Sequence, residues 1–232
     1  MRPAVDALSR AFRVLTFSLD AGDLDALVRQ VNDALNAADV ARATICGVSF
    51  GGVVAARFAA VHPERTDALV LASTPGPGWR LPPRTRLYAR LPWLLGPLFL
   101  AESPWRMHAE LKAAFPDGRA RRAFKASVLR TLLTAPISLG GMASRARVID
   151  TISSGDLQSD CARITAPTLV VTGEPALDHV VSVEGSRAFA RLIRGARTEV
   201  IARTGHLGSV TRPDVFLALV SRFVEGTRHA AA

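Results

Sequence analysis

The chain has 232 residues, of which 49% are apolar and 21% are charged, so it is no disordered chain and suits one folded domain with a substantial core. Its most apolar segment, residues 91–101, is too short to span a bilayer, and no signal-peptide core follows Met1, so we expect a cytoplasmic protein without a membrane partner. The net charge of +9 comes mainly from scattered arginines without interleaved aromatic residues, which argues against a nucleic-acid partner.

Strand and helix patterns alternate along the first third of the chain, which is typical of an α/β fold. Residues 12–17 have the pattern of a strand, and residues 23–36 place their apolar side chains at helical spacing. A short buried strand is predicted at residues 43–47. A helix rich in small residues is predicted to follow it, at residues 52–61.

The rest of the chain continues this alternation after a long interruption. Residues 67–73 and 166–172 are continuous apolar runs, as expected of parallel strands covered on both faces, and a further strand and an amphipathic helix follow. Residues 75–162 carry no strand pattern and are too many for a plain loop. We therefore predict a mostly parallel sheet flanked by helices, with a core domain formed by residues 1–74 and 163–232 and a helical cap at 75–162.

A G-x-S-x-G motif, formed by Gly47, Ser49 and Gly51, stands between a predicted strand and a predicted helix. This is the context in which such a serine is held on a sharp, strained turn, so the neighbouring positions must lack bulky side chains. The turn exposes the serine hydroxyl, and the helix start directs backbone N–H groups toward developing negative charge. The alternative is a Gly/Ser-rich turn without chemistry. The matching context favours Ser49 as a nucleophile.

This motif, together with the His-Pro-Glu-Arg junction at residues 62–65, resembles the α/β-hydrolase superfamily, in particular its small cap-bearing esterases, lactonases and peptidase-like members. The resemblance covers nearly the whole chain. It implies that Ser49 is the nucleophile and that the N–H of Phe50 belongs to an oxyanion hole. It also implies a base in the Thr-Gly-His-Leu segment after the last strand, which is His206.

The resemblance further implies an acid after the strand at residues 168–172, where two residues compete. Asp178 is favoured because the sequence after it matches the family pattern. The stretch from Gly173 to Asp178 is about two residues longer than that pattern, so Glu174 remains an alternative. The acid would fix the tautomer of His206 and stabilise its imidazolium.

One family feature is missing from the sequence. The family takes its second oxyanion donor from a loop that usually carries a His-Gly pair, and this chain contains no His-Gly dipeptide. The first 11 residues resemble the helix that follows this loop, so a strand would be missing between residues 13–17 and 43–47. We expect either that Met1 is an internal start, or that this is a short form whose strands close up or pair with another chain.

The nucleophile type narrows the chemistry. A serine argues against the dehalogenases and epoxide hydrolases of the same superfamily, which use an aspartate, and favours acyl transfer through an acyl-enzyme. Ester, lactone, thioester and N-terminal peptide substrates remain open, as does cofactor-free perhydrolysis. The other function considered is a catalytically inactive fragment or binding module, because the oxyanion loop is missing.

The composition of the predicted cap favours a small-molecule substrate with an apolar group. Its apolar side chains would line a pocket or form the cap's own core: Trp79, Leu81, Trp93, Leu94, Leu95, Phe99, Leu100 and Trp105. No ligand cluster or phosphate loop is present, so no metal or organic cofactor is implied. Cys46 and Cys161 lack metal or redox spacing and are predicted to be buried.

Overall fold

The computed structural model describes residues 2–20, 22–134, 138–152 and 154–231. Its centre is a sheet of four parallel strands that pair in chain order. The strands are β1 (Ala43–Val48), β2 (Thr66–Ala72), β3 (Thr168–Thr172) and β4 (Arg197–Val200). The predicted α/β class with a parallel sheet is confirmed, as are the four strands from residue 43 onward.

Helices flank this sheet and fill the interval between β2 and β3. The first three helices are α1 (Arg2–Leu8), α2 (Leu24–Ala37) and α3 (Phe50–Val61), and a short 3-10 turn, Pro63–Arg65, follows them. Between β2 and β3 lie α4 (Pro83–Arg90), α5 (Pro92–Arg106), α6 (His108–Ala114), α7 (Gly118–Thr134), α8 (Leu139–Thr151) and α9 (Ser154–Arg163). The last helices are α10 (Val183–Leu192), α11 (Gly208–Thr211) and α12 (Pro213–Ala231). No helix among the described residues combines the length and apolarity needed to cross a membrane.

Strand alternation explains how the sheet supports a core on each face. In β2, Leu69 and Leu71 point to one face and Val70 points to the other, and all three are fully buried. Helices α3, α9 and α10 cover the first face, while α1 and α12 cover the second. The central strands are therefore sandwiched, which explains why their sequences read as continuous apolar runs.

Helix α3 is the most buried helix beside the sheet. Its small residues bring it close to the strands, and Phe58 on the same helix is fully buried against α2. Arg57 pairs with Asp160 of α9 at 2.7 Å and with Asp25 of α2 at 3.1 Å. The Asp160 side chain is 1% exposed, and both Arg57 and Arg163 pair with it, so this buried carboxylate has two counterions.

The strand predicted at residues 12–17 is not present in the structure. Residues 13–20 have no regular secondary structure, and Leu15 and Phe17 are each 44% exposed. A strand needs a neighbour for its backbone hydrogen bonds, and the described residues place no strand beside this segment. The apolar pattern was correctly identified, but the pairing partner that it requires is absent from the sheet.

Because the described residues contain no strand on its other side, β1 lies at the edge of the sheet. Only Gly47 of its six residues is buried, and β1 pairs with β2 alone. Cys46 is exposed, so the prediction that both cysteines are buried was wrong for this one. Cys161 on α9 is buried, and burial raises the pKa of its thiol to about 12.

Candidate active site

Ser49 lies on the turn between β1 and α3, in a strained backbone conformation. Its φ of 53° and ψ of −126° are sparsely populated for a non-glycine residue and cost about 1–3 kcal/mol. The Ser49 N–H donates to the carbonyl of Ala72 at the end of β2 (2.8 Å), and the N–H of Gly52 donates to the Ser49 carbonyl (2.9 Å). The turn is therefore held by the neighbouring strand and by the first turn of α3.

The glycines around Ser49 differ in how much the turn requires them. A Cβ on Gly47 would lie 2.3 Å from the carbonyl oxygen of Gly51, and one on Gly52 would lie 1.9 Å from Oγ1 of Thr74. A Cβ on Gly51 would meet no atom within 4 Å. The expectation that both motif glycines are sterically required thus applies to Gly47 and not to Gly51, while Gly52, just outside the motif, is required.

His206 reaches Ser49 from a loop 157 residues later in the chain. Its Nε2 lies 3.0 Å from the Ser49 Oγ, within hydrogen-bond distance. The imidazole side chain is only 12% exposed. The structure therefore brings together the two residues that the sequence predicted as nucleophile and base.

Asp178 lies behind the imidazole, with its side chain 1% exposed. Its Oδ1 accepts hydrogen bonds from the N–H groups of Val180 and Val181, both at 3.0 Å. Its Oδ2 is 3.6 Å from Nδ1 of His206, an ion-pair distance that is longer than a hydrogen bond. Among the described residues, this buried Nδ1 atom has no hydrogen-bond partner, and the Asp178 carboxylate is the charged group paired with it.

Glu174, the other acid considered, points elsewhere. Its Oε1 accepts the N–H of Arg203 at 2.7 Å, and its own N–H donates to the Thr204 carbonyl. The Glu174 carbonyl accepts the N–H groups of both Leu177 and Asp178, which closes a compact turn. This turn absorbs the extra length noticed in the sequence, so Asp178 still arrives beside His206.

The loops that carry Asp178 and His206 touch through their backbones. A Cβ on Gly205 would lie 2.2 Å from the Leu177 carbonyl oxygen, and one on Gly173 would lie 2.4 Å from the Gly205 carbonyl oxygen. Only residues without side chains permit this approach. Gly205, which precedes His206, therefore allows the loop of His206 to lie directly against the loop of Asp178.

Phe50 is the first residue of α3, immediately after Ser49, and is 9% exposed. Backbone N–H groups in the first turn of a helix have no acceptor within that helix, and they carry the positive end of its dipole. This N–H is therefore available to donate to a negatively charged oxygen on a carbon atom bonded to Ser49 Oγ.

Glu110 of α6 is a site residue that the sequence did not indicate. It is 2% exposed, and its Oε1 accepts the N–H groups of Gly205 (2.7 Å) and Leu207 (2.8 Å), the two neighbours of His206. Burial raises the pKa of this carboxyl, the two backbone hydrogen bonds partly oppose the rise, and Asp178 and His206 add smaller raising and lowering effects. A single glutamate on a helix of the insertion has no distinguishing sequence signal.

Several large apolar side chains on α5 of the insertion are exposed to solvent. Trp93, Leu94 and Trp105 on α5 are 78%, 72% and 83% exposed, so the prediction that they line a pocket or form the cap core was wrong for these three. Leu81 is buried, and Trp79 is half-buried beside a small cavity under the loop after β2.

Two of the other histidines, His62 and His229, make their polar contacts away from this cluster. His62 contacts Glu64 at 3.3 Å, and His229 contacts the carbonyl of Glu225 on its own helix. Among the described residues, no group of three or more His, Cys, Asp or Glu side chains is arranged to hold a metal ion.

A comparison with protein families matches residues 8–213 to the family described as alpha/beta hydrolase fold. The polyketide synthase ThaQ of Burkholderia thailandensis is 29% identical over 193 residues, which cover 82% of this chain but only 9% of that protein. The 3-oxoadipate enol-lactonase 1 of Acinetobacter baylyi is 24% identical over 238 residues, which cover 97% of this chain and 83% of the relative.

Solved structures also resemble this chain in fold. The enol-lactonase from Burkholderia xenovorans LB400 is 24% identical, with a TM-score of 0.69 over 96% of this chain and 85% of that chain. At this level of identity the likeness establishes a common fold, and the chemistry has to be argued from the side chains themselves.

Proposed function

The chain belongs to the alpha/beta hydrolase family, and we propose that it is a serine hydrolase that acts through an acyl-enzyme on an ester, lactone or thioester. The observation that carries this proposal is the 3.0 Å separation between Ser49 Oγ and His206 Nε2. Asp178 lies on the opposite side of the same imidazole. A strained serine, a base and a buried carboxylate in this order are the parts that nucleophilic acyl transfer needs.

In the first half of the proposed reaction, Ser49 Oγ attacks the carbonyl carbon of the substrate. Its proton passes to Nε2 of His206, and the carbonyl electron pair moves onto oxygen. The Phe50 N–H is the proposed donor to that oxyanion, and Asp178 stabilises the imidazolium electrostatically. Collapse of the intermediate breaks the bond to the leaving group, which takes the proton from His206.

In the second half, water replaces the leaving group. His206 takes a proton from this water, whose oxygen attacks the acyl carbon bound to Ser49 Oγ. Collapse releases the carboxylic acid, and the proton returns from His206 to Ser49. No residue beyond those already placed at the site is needed to balance these steps.

The substrate class is proposed from two kinds of support. Two relatives named as enol-lactonases cover 96–97% of this chain, which makes a lactone or a related small ester the first class to test. An apolar group on the substrate is proposed from the composition of the insertion, which we propose to act as a cap over the site. The boundaries of that cap, residues 75–162, and a cytoplasmic location remain part of the proposal.

The experiment is hydrolysis of p-nitrophenyl butyrate by wild type, Ser49→Ala and His206→Ala, with Ser103→Ala as the matched control. Among the described residues, the hydroxyl of Ser103 bonds to the carbonyl of Phe99 on its own helix, so this control removes a serine hydroxyl on α5 that is not hydrogen-bonded to Ser49 or His206. Turnover in wild type and the control, with a loss on the order of 10⁴-fold or more in the two site variants, is expected. Equal turnover in Ser49→Ala and wild type would overturn the proposal.

A second candidate is a non-catalytic binding module of the same fold. It is favoured by one observation, the lack of any His-Gly dipeptide to supply a second oxyanion donor. One donor is worth about 3 kcal/mol of transition-state stabilisation, so its loss slows acyl transfer without removing the nucleophile. A fluorophosphonate probe separates the candidates, because an activated Ser49 is labelled covalently and a binding module is not.

A further inference from the structure

Glu110 binds the loop of His206 from a distant part of the chain. It lies on α6, in the segment between β2 and β3, and is 95 and 97 residues away from its two partners. A single oxygen, Oε1, accepts the N–H of Gly205 and the N–H of Leu207. Because these two residues flank His206, one buried carboxylate holds the backbone on both sides of the proposed base.

A second contact joins the same helix to the segment that follows this loop and α11. Nη2 of Arg212, at the end of α11, donates to the carbonyl of Ala114 at 3.2 Å. Ala114 and Leu111 on α6 are both buried. Helix α6 is therefore held by a hydrogen bond at its C-terminal end as well as by Glu110. The Glu110 side chain is itself buried, so its rotation is restricted.

We propose that Glu110 is the positioning residue of the base: it holds the loop at residues 205–207 so that Nε2 of His206 stays within reach of Ser49. This inference rests on the proposed function, since it assigns Glu110 a role in the same reaction. A shift of about 1 Å in a catalytic group can slow a reaction on the order of 100-fold, so two hydrogen bonds that fix the loop matter to the rate. Glu110 itself touches no reacting atom.

The negative charge of Glu110 has a separate effect on the site. The groups that interact with its carboxylate are the two backbone N–H groups, Asp178 and His206. Asp178 opposes the charge and His206 favours it once the imidazole is protonated. Ionised Glu110 therefore supports the imidazolium that forms when Ser49 gives up its proton, beyond what the hydrogen bonds do.

Two substitutions separate these contributions. Glu110→Gln keeps the length and an amide oxygen that can accept both N–H groups, but it removes the charge. Glu110→Asp keeps the charge but shortens the side chain by one methylene, so the carboxylate no longer reaches both donors. Glu102 on α5 supplies the matched controls, Glu102→Gln and Glu102→Asp, because its carboxylate binds Arg84, Tyr88 and Arg106 within the insertion.

The first measurement is amide hydrogen exchange at residues 204–208 in the folded proteins. Protection of Gly205 and Leu207 is expected to be kept in Glu110→Gln and reduced at least 10-fold in Glu110→Asp, with both Glu102 controls equal to wild type. Unchanged protection in Glu110→Asp would overturn the proposed clamp. This readout depends on the fold of the loop and not on turnover.

The second measurement is steady-state kinetics with p-nitrophenyl butyrate and the rate of fluorophosphonate labelling. Glu110→Asp is expected to lower kcat on the order of 10- to 100-fold with KM within about threefold. Glu110→Gln is expected to retain most of kcat, because its amide oxygen can still accept both N–H groups of the loop. Equal losses in both variants, or wild-type kcat in Glu110→Asp, would overturn the positioning role.

The two proposals fail in different ways. If wild type neither turns over the ester nor reacts with the probe, the proposed hydrolase function fails, while hydrogen exchange still shows whether Glu110 holds the loop. If wild type is active and Glu110→Asp loses protection without losing kcat, the hydrolase function stands and the positioning role is overturned.

Discussion

Strands β1 and β2, which pair with each other, differ strongly in how deeply their residues are buried. In β2 every residue except Asp67 is buried, and β3 is buried throughout. In β1, which leads to Ser49, only Gly47 is buried. Asp178, the proposed acid, follows the buried strand β3, whereas Ser49, the proposed nucleophile, follows the strand at the edge of the sheet.

This difference shows what actually holds Ser49. The side chains of β1 contribute to the cores only at their margins, through the partly buried Ala43, Ile45 and Val48. The nucleophile turn instead relies on the hydrogen bond to Ala72 of β2 and on α3, whose Phe58 is fully buried. A strained turn persists only where its surroundings fix it, and here the helix and the inner strand do so.

The largest effect is expected at Asp178, which follows the buried strand β3 and lies beside His206. Asp178→Asn keeps the size of the side chain but removes the charge beside His206 Nδ1, so kcat should fall on the order of 10⁴-fold. Glu174 lies on the same loop, and its carboxylate accepts the backbone N–H of Arg203, so Glu174→Gln should change kcat less than tenfold. Parallel kcat measurements on folded variants test this, and the opposite ranking would reassign the acid to Glu174.

A smaller effect is expected at the nucleophile turn. Gly47→Ala forces a Cβ to within 2.3 Å of the Gly51 carbonyl and should displace Ser49, slowing fluorophosphonate labelling on the order of 100-fold. Gly51→Ala has open space around its Cβ and should label within about threefold of wild type. If both variants were equally impaired, the edge of the sheet would be more crowded than the contacts indicate.

The difference in burial between β1 and β2 also predicts how much a truncated side chain in each strand lowers the free energy of unfolding. Leu71→Ala on β2 empties a fully buried position and should lower the free energy of unfolding by about 2–5 kcal/mol. Ile45→Ala on β1 removes a half-buried side chain and should cost less than about 2 kcal/mol. Urea unfolding of both variants decides the matter, and equal losses would mean that β1 is as well packed as β2.

The smallest effect concerns Glu110 and pH. Its pKa is raised above the ordinary value of 4.5, mainly by burial, so between that value and the raised one the folded state binds more protons than the unfolded state. The free energy of unfolding contributed by this group therefore falls as pH rises through that interval. Glu110→Gln should melt like wild type below about pH 4 and at a higher temperature than wild type near pH 7. Thermal melts of both proteins across this range check the direction, and a constant difference would contradict it.

The residues of the site could be predicted from the sequence where a local rule applied. The spacing of Gly47, Ser49 and Gly51 between a strand and a helix marked the turn, because only that local geometry needs this pattern. His206 and Asp178 were instead predicted from the resemblance to the family, which implies a base and an acid in the loops after the later strands. Glu110 could not be found so, because its role depends on where an insertion helix comes to rest against a loop almost a hundred residues away.

The strand prediction at residues 12–17 illustrates the limit of periodicity. The apolar pattern of that segment is compatible with a strand, but a pattern does not supply a partner for backbone hydrogen bonds. The exposure of Trp93 and Trp105 has the same cause, since composition cannot tell whether an apolar side chain of a helix meets another surface.

The sequence by itself determined the fold class, the four strands of the described sheet and the strained turn at Ser49, because these follow from local periodicity and glycine placement. The proposed order of nucleophile, acid and base came from the resemblance to the family. Only the tertiary structure decided that Asp178 rather than Glu174 lies beside His206, that Gly52 is required where Gly51 is not, and that Glu110 binds the loop of the base. These are contacts between segments remote in the chain, and they depend on packing distances that no local pattern records.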